Sequence, residues 1–337
     1  MTAREVDVVY TDACGNDVGV LDGCTVEVAY GADEQRLTAT CPIGTAIEPG
    51  AYVYVPDTEW GGIVDDEDVD SGEMRVVYGG RTWHGVLAGK VLSPRDGEDH
   101  IVMDGDANAC LAEIVERADL GSLFAVDPLP SGIAVDGYEL ARFTDAWSGI
   151  RAMLASAGAR PELAFGGKTV RIRAVAAVDW SDAEDFDGDR AAVRIKRSWR
   201  SVNHLVCAGE GELGERVVVH LYADADGNVS RTQTFFGADE VADLYSYTSA
   251  DEEQLVENGT KRLEDLQDGG SASVTVEPGA YAIGDTVGAV DPHGGSSVTA
   301  MVEKLIVSIE EGVPRIEYKT GDAAQRAAQA AKAMGLR

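Results

Sequence analysis

Carboxylates dominate the residues of this sequence that could do chemistry. Asp65, Asp66, Glu67, Asp68 and Asp70 stand almost side by side. Paired carboxylates are what glycoside hydrolysis uses, one as acid and the other as base or nucleophile. Asp65 to Asp68 lie ahead of Asp70-Ser71-Gly72-Glu73, which reads as a turn. Adjacent carboxylates in such a polar turn stay solvated, and none is singled out as a general acid. Two other strings, Asp185-Phe186-Asp187-Gly188-Asp189 and Asp224-Ala225-Asp226-Gly227, resemble part of a calcium loop. Such a loop needs an oxygen ligand at its first position, Gly at the sixth and a bidentate Glu at the twelfth. With Gly188 sixth, the ends are Ala183 and Arg194; with Gly227 sixth, they are Tyr222 and Gln233. Both strings fail at the ends that matter and read as turns.

The remaining chemical signals are weak. His84, His100, His204, His220 and His293 include no pair at helical spacing and no HExxH. Only His84, between Trp83 and Gly85, sits in a dense local context, and a hydrogen-bonded structural role is expected of it. No GxSxG or phosphate loop occurs. Gly209-Glu210-Gly211-Glu212-Leu213-Gly214 spells a dinucleotide fingerprint, but a strand follows it where a helix N-terminus would have to face a phosphate. A hairpin loop is expected there. Cys14, Cys24, Cys41, Cys110 and Cys207 are odd in number and form no CxxC. They support neither a disulfide framework nor a zinc ribbon, and read as small buried thiols of a reduced cytosol. No catalytic, cofactor-binding or metal-ligating residue is assigned, and no cofactor is expected.

Composition narrows the classes further. The chain has 337 residues, with 59 acidic against 28 basic ones, a net charge of −31. Phosphate backbones and anionic membranes are repelled by such a surface. With 45% hydrophobic residues it is not a disordered acidic tail. The N-terminus shows no apolar core of signal-peptide length, and no apolar run is long enough to span a membrane. The length allows two or three domains.

The elements that position these residues are mostly strands. Val6, Val8 and Tyr10, then Val26, Val28 and Tyr30, then Leu37, Ala39 and Cys41 recur with period two. Strands are expected again at 51–55 and 74–78. Helical periodicity marks 106–121, with Asp106 or Asn108 as cap and Gly121 as stop, and 144–158. A hairpin follows at 163–174 through Gly166-Gly167. The polar stretch 179–189 reads as a linker. Strands are expected at 192–195, 202–208, 217–222 and 230–235, and a helix at 250–267 with the capping box Ser249/Glu252. Further strands are expected at 273–276, 286–290, 299–309 and 315–319, and an Ala-rich helix at 323–334.

One ordered set of motifs is more specific. Residues 61–94 read GGIVDDEDVDSGEMRVVYGGRTWHGVLAGKVLSP. This resembles the signature region of tail-tip or baseplate hub (tail-associated) proteins of long-tailed, siphophage-type bacteriophages. In that family a Gly-Gly-x-Val-(Asp/Glu) strand pairs with one leading into a Gly-Arg-(Thr/Asp)-x-x-Gly-(Ile/Leu/Val)-Leu corner, here Gly80 to Leu87. Phe236 to Ala242 and the 250–267 helix are similar to the segment before the family's final barrel strands. Tyr281-Ala282-Ile283-Gly284-Asp285-Thr286-Val287 resembles its Tyr-x-(Ile/Leu)-Gly-Asp-x-Val element. Residues 302–306 and 316–318 resemble its closing strand pair.

The resemblance implies a β-rich α+β fold with two small β-barrel-like domains and a helix-containing α+β middle domain. The expected boundaries are 1–95 and 191–320 for the barrels, the second with a helical insertion near 249–268. The middle domain takes 96–190, and 321–337 is a C-terminal helix or tail. It also implies a homotrimeric, non-enzymatic virion protein that closes the tail tube. The implied partners are the distal tail protein, the tape-measure protein and tail fibre or receptor-binding proteins. DNA would be passing cargo only, and an acidic lumen would keep it sliding. The hub of a bacterial contractile injection system shares these features, and genome context separates the two. A cell-wall carbohydrate-active enzyme using residues 65–70 is the alternative from another class.

Overall fold

In the computed structural model of the chain, the described residues are 5–180, 191–197, 201–211, 213–225, 227–248, 250–267, 270–276, 281–290 and 297–320. The 185–189 string, Glu212, Asp226, the capping Ser249, His293 and the helix expected at 323–334 lie outside them.

In chain order the chain forms β1 (Val9–Thr11), β2 (Asp17–Val20), β3 (Thr25–Gly31), β4 (Gln35–Pro42), β5 (Tyr52–Tyr54), β6 (Gly61–Asp70), β7 (Arg75–Thr82) and α1 (Trp83–Ala88). The middle of the chain gives β8 (Ile101–Asp106), α2 (Ala107–Arg117), β9 (Phe124–Val126), β10 (Ala134–Leu140), α3 (Ala146–Ser156), β11 (Ala159–Gly166) and β12 (Thr169–Ala176). After these come β13 (Ala191–Arg197), β14 (His204–Ala208), β15 (Val218–Ala223), β16 (Val229–Ser230), β17 (Ala242–Ser246), α4 (Glu252–Gln267), β18 (Gly270–Val276), β19 (Thr286–Val290), β20 (Ser297–Glu310) and β21 (Val313–Thr320). The fold is β-rich α+β.

Two compact units result: Met1–Val193 with Val274–Gly321, and Arg194–Ser273. Strand register joins the two segments of the first unit. The main sheet of the first unit runs β19-β20-β3-β4-β7-β6-β5-β1-β2, with β21 on β20, and curls into a half-barrel. Leu305, Val307 and Ile309 of β20 lie opposite Tyr30, Val28 and Val26 of β3. Val28 and Val26 in turn face Leu37 and Ala39 of β4. All eight are buried. A slip of one residue would turn each of these rows to solvent, so the alternation that marks the strands also fixes which strands meet.

Smaller layers pack on this sheet's unit. Strands β8 and β10 pair antiparallel, and β11, β12 and β9 form a three-stranded sheet with β9 parallel to β12. In α3, Trp147, Ile150, Met153 and Leu154 are buried, each contributing about 1.5–3 kcal/mol of hydrophobic stabilisation. Asp145 caps this helix, accepting from Ser148 N at 2.9 Å. Asp106 caps α2, accepting from Asn108 N at 2.9 Å. The Asn108 side chain then ties two segments together, donating to Leu129 O and accepting from Ala174 N, both at 2.8 Å. In the second unit, β16-β15-β14-β17 form one sheet. Leu255 and Leu263 of α4 join Leu205, Cys207, Val219 and Leu221 in its core.

Several expectations are corrected. The acidic run 65–70 is strand, not turn: β6 continues to Asp70, and only 71–74 turn. Ladder bonds to β7 outweigh the weak strand preference of Asp, and the carboxylates remain exposed on the side where β5 no longer covers β6. Gly121 does not stop α2, because Asp119, at φ 54°, takes the left-handed position first. The β11–β12 turn is Gly167-Lys168, since Gly166 still pairs with Thr169. The strand expected at 230–235 shortens to Val229–Ser230, where side chains bond locally: Thr232 N donates to Ser230 Oγ and Gln233 Nε2 to Phe235 O. Strands β8, β10 and β17 carry no clear alternation, so the sequence does not announce them. Cysteine usage also differs. Cys24 and Cys41 form a disulfide, Cys14 is exposed, and Cys110 and Cys207 are buried thiols. The cross-strand register puts Cys24 opposite Cys41, with Cα atoms 4.4 Å apart, the close spacing of a non-hydrogen-bonded pair.

Candidate functional site at the strand-to-helix corner

The segment with the most specific sequence pattern folds as one hairpin and a helix start. Strand β6 pairs with β7 from Gly62 opposite Thr82 to Asp70 opposite Arg75. Each motif position has a physical task. A Cβ at Gly80 would stand 1.9 Å from the Ile63 carbonyl oxygen, so only glycine lets the strands meet there. The register shifts between Val64 and Asp66, and Asp65 is released to meet Arg81. The Arg81 guanidinium donates from Nε to Oδ2 at 2.7 Å and from Nη2 to Oδ1 at 2.8 Å, and Arg81 N donates to Oδ2 at 3.1 Å. These bonds from Arg81 hold the Asp65 carboxyl below its ordinary range. Thr82 then caps α1, its Oγ1 accepting from Gly85 N at 3.1 Å.

The helix start drives aromatic side chains into the core. Trp83 stacks on Phe165, with ring centroids 4.6 Å apart. His84 stacks on Tyr30 at 4.3 Å and meets Trp147 edge-on at 4.7 Å. His84 is fully buried, and neither ring nitrogen makes a hydrogen bond, nor does Trp83 Nε1. His84 Nε2 lies 3.4 Å from Glu59 Oε2, an ionic contact if the ring is protonated. Glu59 accepts a bond from Tyr30 Oη at 2.9 Å. Burial first, and then the Glu59 charge, push the Tyr30 hydroxyl well above the ordinary tyrosine range. Where a hydrogen-bonded structural histidine is expected at 84, the structure has a ring packed between aromatic neighbours, with Glu59 beside its Nε2.

The second motif is equally occupied with structure. Asp285 is fully buried. Its carboxylate accepts from Arg160 Nε and Val178 N, both at 2.9 Å, and from Ala282 N at 3.0 Å. Gly284 has φ +98°, and a Cβ there would stand 2.9 Å from Arg160 Cβ, so glycine is required for Asp285 to be aimed. Tyr281 packs edge-on against Trp180 and Tyr318.

The acidic run gathers no acid–base pair. Asp65 is engaged by Arg81, and Glu67 and Asp68 are exposed. Asp70 Oδ1 accepts from the turn N–H groups of Gly72 and Glu73. Among the described residues Asp285 is the one fully buried carboxylate, and Arg160 and backbone donors surround it. Among the described residues of the Gly209–Gly214 string, Gly209 N donates to Val217 O and Glu210 O accepts from Val217 N, both at 2.8 Å, as in a hairpin connection. Asp224 closes a turn, accepting from Asn228 N at 2.9 Å. Exposed His100 contacts Glu139 at 2.7 Å. Among the described residues no group of three or more His, Cys, Asp or Glu is placed to hold a metal, and no helix is long and apolar enough to cross a membrane.

One cluster is invisible to a search for helical spacing. His204 Nδ1 lies 2.5 Å from Glu240 Oε1, and His204 Nε2 lies 2.8 Å from His220 Nδ1. Val206 faces His220 and Tyr222 faces His204 across β14 and β15, so the two histidines are diagonal neighbours on one face.

Comparison with known proteins gives structures only. No protein-family model matches the sequence, and neither does any curated protein. A tail protein from Neisseria meningitidis MC58 is 13% identical, with TM-score 0.49, over 97% of this chain and 99% of its own. Prophage tail protein gp18 from Listeria monocytogenes EGD-e is 13% identical, with TM-score 0.49, over 98% of this chain and 99% of its own. The prophage MuSo2 43 kDa tail protein from Shewanella oneidensis is 14% identical, with TM-score 0.49, over 94% of this chain and 98% of its own.

Proposed function

We propose that this chain is a structural virion protein of a long-tailed bacteriophage. It forms the tail-tip or baseplate hub as a homotrimer, closes the tail tube and couples host attachment to genome passage. The observation that carries this reading is the order of the hub motifs at 61–87 and 281–318, together with what their residues do. Gly80, Arg81, Thr82, Gly284 and Asp285 each meet a geometric need of the fold. An enzyme of the carbohydrate-active class needs a sheltered acid and base, and no carboxylate of the 65–70 run is buried. The distal tail protein, the tape-measure protein and tail fibres are the neighbours this role requires. Exposed carboxylates such as Glu67 and Asp68 fit a conduit wall that does not retain phosphate.

The test is assembly. The purified chain is weighed by mass photometry over a range of concentrations, and purified virions are labelled with an antibody against the chain and imaged. A trimer, with label at the tail tip, is expected. A chain that stays monomeric and is missing from virions overturns the proposal.

A further inference from the structure

The Glu240–His204–His220 cluster of the second unit has no part in the hub reading. Glu240 Oε1 lies against His204 Nδ1; a carboxylate oxygen only accepts, so this bond needs the Nδ1–H tautomer, whose Nε2 carries a lone pair. That lone pair points at His220 Nδ1, 2.8 Å away. The His204 ring is held still: it is buried, and it stacks on Tyr222 with centroids 4.4 Å apart and planes 24° apart. His220 is exposed and sits on the same sheet face.

We propose that His204 Nε2 and His220 Nδ1 form a two-histidine site for a borderline divalent transition-metal ion such as Zn²⁺, Ni²⁺ or Cu²⁺, with Glu240 orienting His204 from behind. Imidazole suits these ions better than Ca²⁺ or Mg²⁺. A carboxylate on the far nitrogen is the usual support of a metal-binding histidine, because it fixes the tautomer and raises ligand basicity. Two imidazole nitrogens each about 2.0–2.1 Å from zinc stand about 3.3 Å apart at a tetrahedral angle. The present contact therefore opens by about half an ångström, within reach of a small rotation of exposed His220. His220 changes tautomer as the ion enters: its proton leaves Nδ1 and is carried at Nε2, so a neutral pair binds with no net proton release. Water completes the coordination. With two protein ligands the site is open and exchangeable, unlike the closed four-ligand sites of structural zinc.

Competition titration of the intact chain against a coloured chelator, with each metal salt alone, tests the site. One equivalent is expected to bind, Cu²⁺ most tightly, following the Irving–Williams order. H220A should lower affinity at least tenfold, and E240Q about 10–100-fold. H100A, at the other exposed histidine described, should bind as the unaltered chain does. Ring ¹⁵N shifts of His204 and His220 should move together on metal addition. No binding at micromolar ion, or H220A binding with unchanged affinity, overturns the proposal. Exposed His220 makes H220A a variant that keeps the fold, and its unchanged circular dichroism checks this.

Discussion

Arg160 reaches Asp285 across 125 positions of sequence, its Nε donating to Oδ1 at 2.9 Å. Both side chains are largely shut away from water, at 14% and 0% exposure. Breaking a buried pair leaves the surviving charge uncompensated, at a cost of about 3–5 kcal/mol. D285A also strips Val178 N and Ala282 N of their acceptor. Denaturant unfolding should therefore show D285A less stable by about that amount, with D285N between it and the unaltered chain. A loss below about 1 kcal/mol would mean that water replaces the clamp.

Gly80 offers a steric test. G80A places a methyl group against the Ile63 carbonyl. Overpacking of this kind costs about 1–3 kcal/mol or more, and here it forces β6 from β7. Hydrogen exchange should speed up across β6, β7 and the Asp65–Arg81 bond while α4, in the other unit, keeps its protection. Unaltered exchange in β6 would refute the close approach.

Acid stability should carry the signature of Glu98. The Arg117 side chain, with help from Arg95 N, holds its carboxyl at about 2, below the reference 4.5. The folded value is depressed, so its contribution is complete above about 4.5 and is lost as pH falls towards about 2. E98Q should flatten the dependence of unfolding free energy on pH in that window and leave the slope near neutrality alone. An unchanged slope below pH 4.5 sinks the assignment.

Thiol counting tests the cross-strand disulfide. The chain has five cysteines, of which Cys14, Cys110 and Cys207 are free. Denatured, unreduced protein should react at three thiols, and reduced protein at five. C24S/C41S should lose about 3 kcal/mol, the loop-closure value for a loop of this length. Five reactive thiols without reductant would refute the bond.

How far the sequence can be read depends on how local the governing interactions are. The period of two in β3 and β4 and the 3.6-residue stripes of α2 and α3 arise within one element, and the structure has those elements. The caps Asp106 and Asp145 lie beside the helices they start. Strand β6 is only partly legible, because the polarity of Glu67 and Asp68 suggests a turn until their partners are known. Tyr78 and Val77 of β7 hold them in the ladder. Strand β17 is hidden because its pairing with β14 is parallel and long-range. The same holds for the chemistry. Asp65 with Arg81, Asp285 with Arg160, and His204 with His220 and Glu240 are each made by register or tertiary contact. Only a cross-strand count of side-chain faces could bring His204 and His220 together in advance.

The pairing of β20 with β3 sets a timetable for biosynthesis. Strand β3 cannot be covered until Lys304 to Glu310 leave the ribosome, about 270 residues after β3 itself. At roughly 5–20 residues per second this is on the order of 15–55 s. For that time the nascent hairpin of β3 and β4 presents an unpaired edge in a crowded cell. The neighbouring carboxylates give each emerging chain a reason to avoid its siblings on the same messenger until its own last strands arrive.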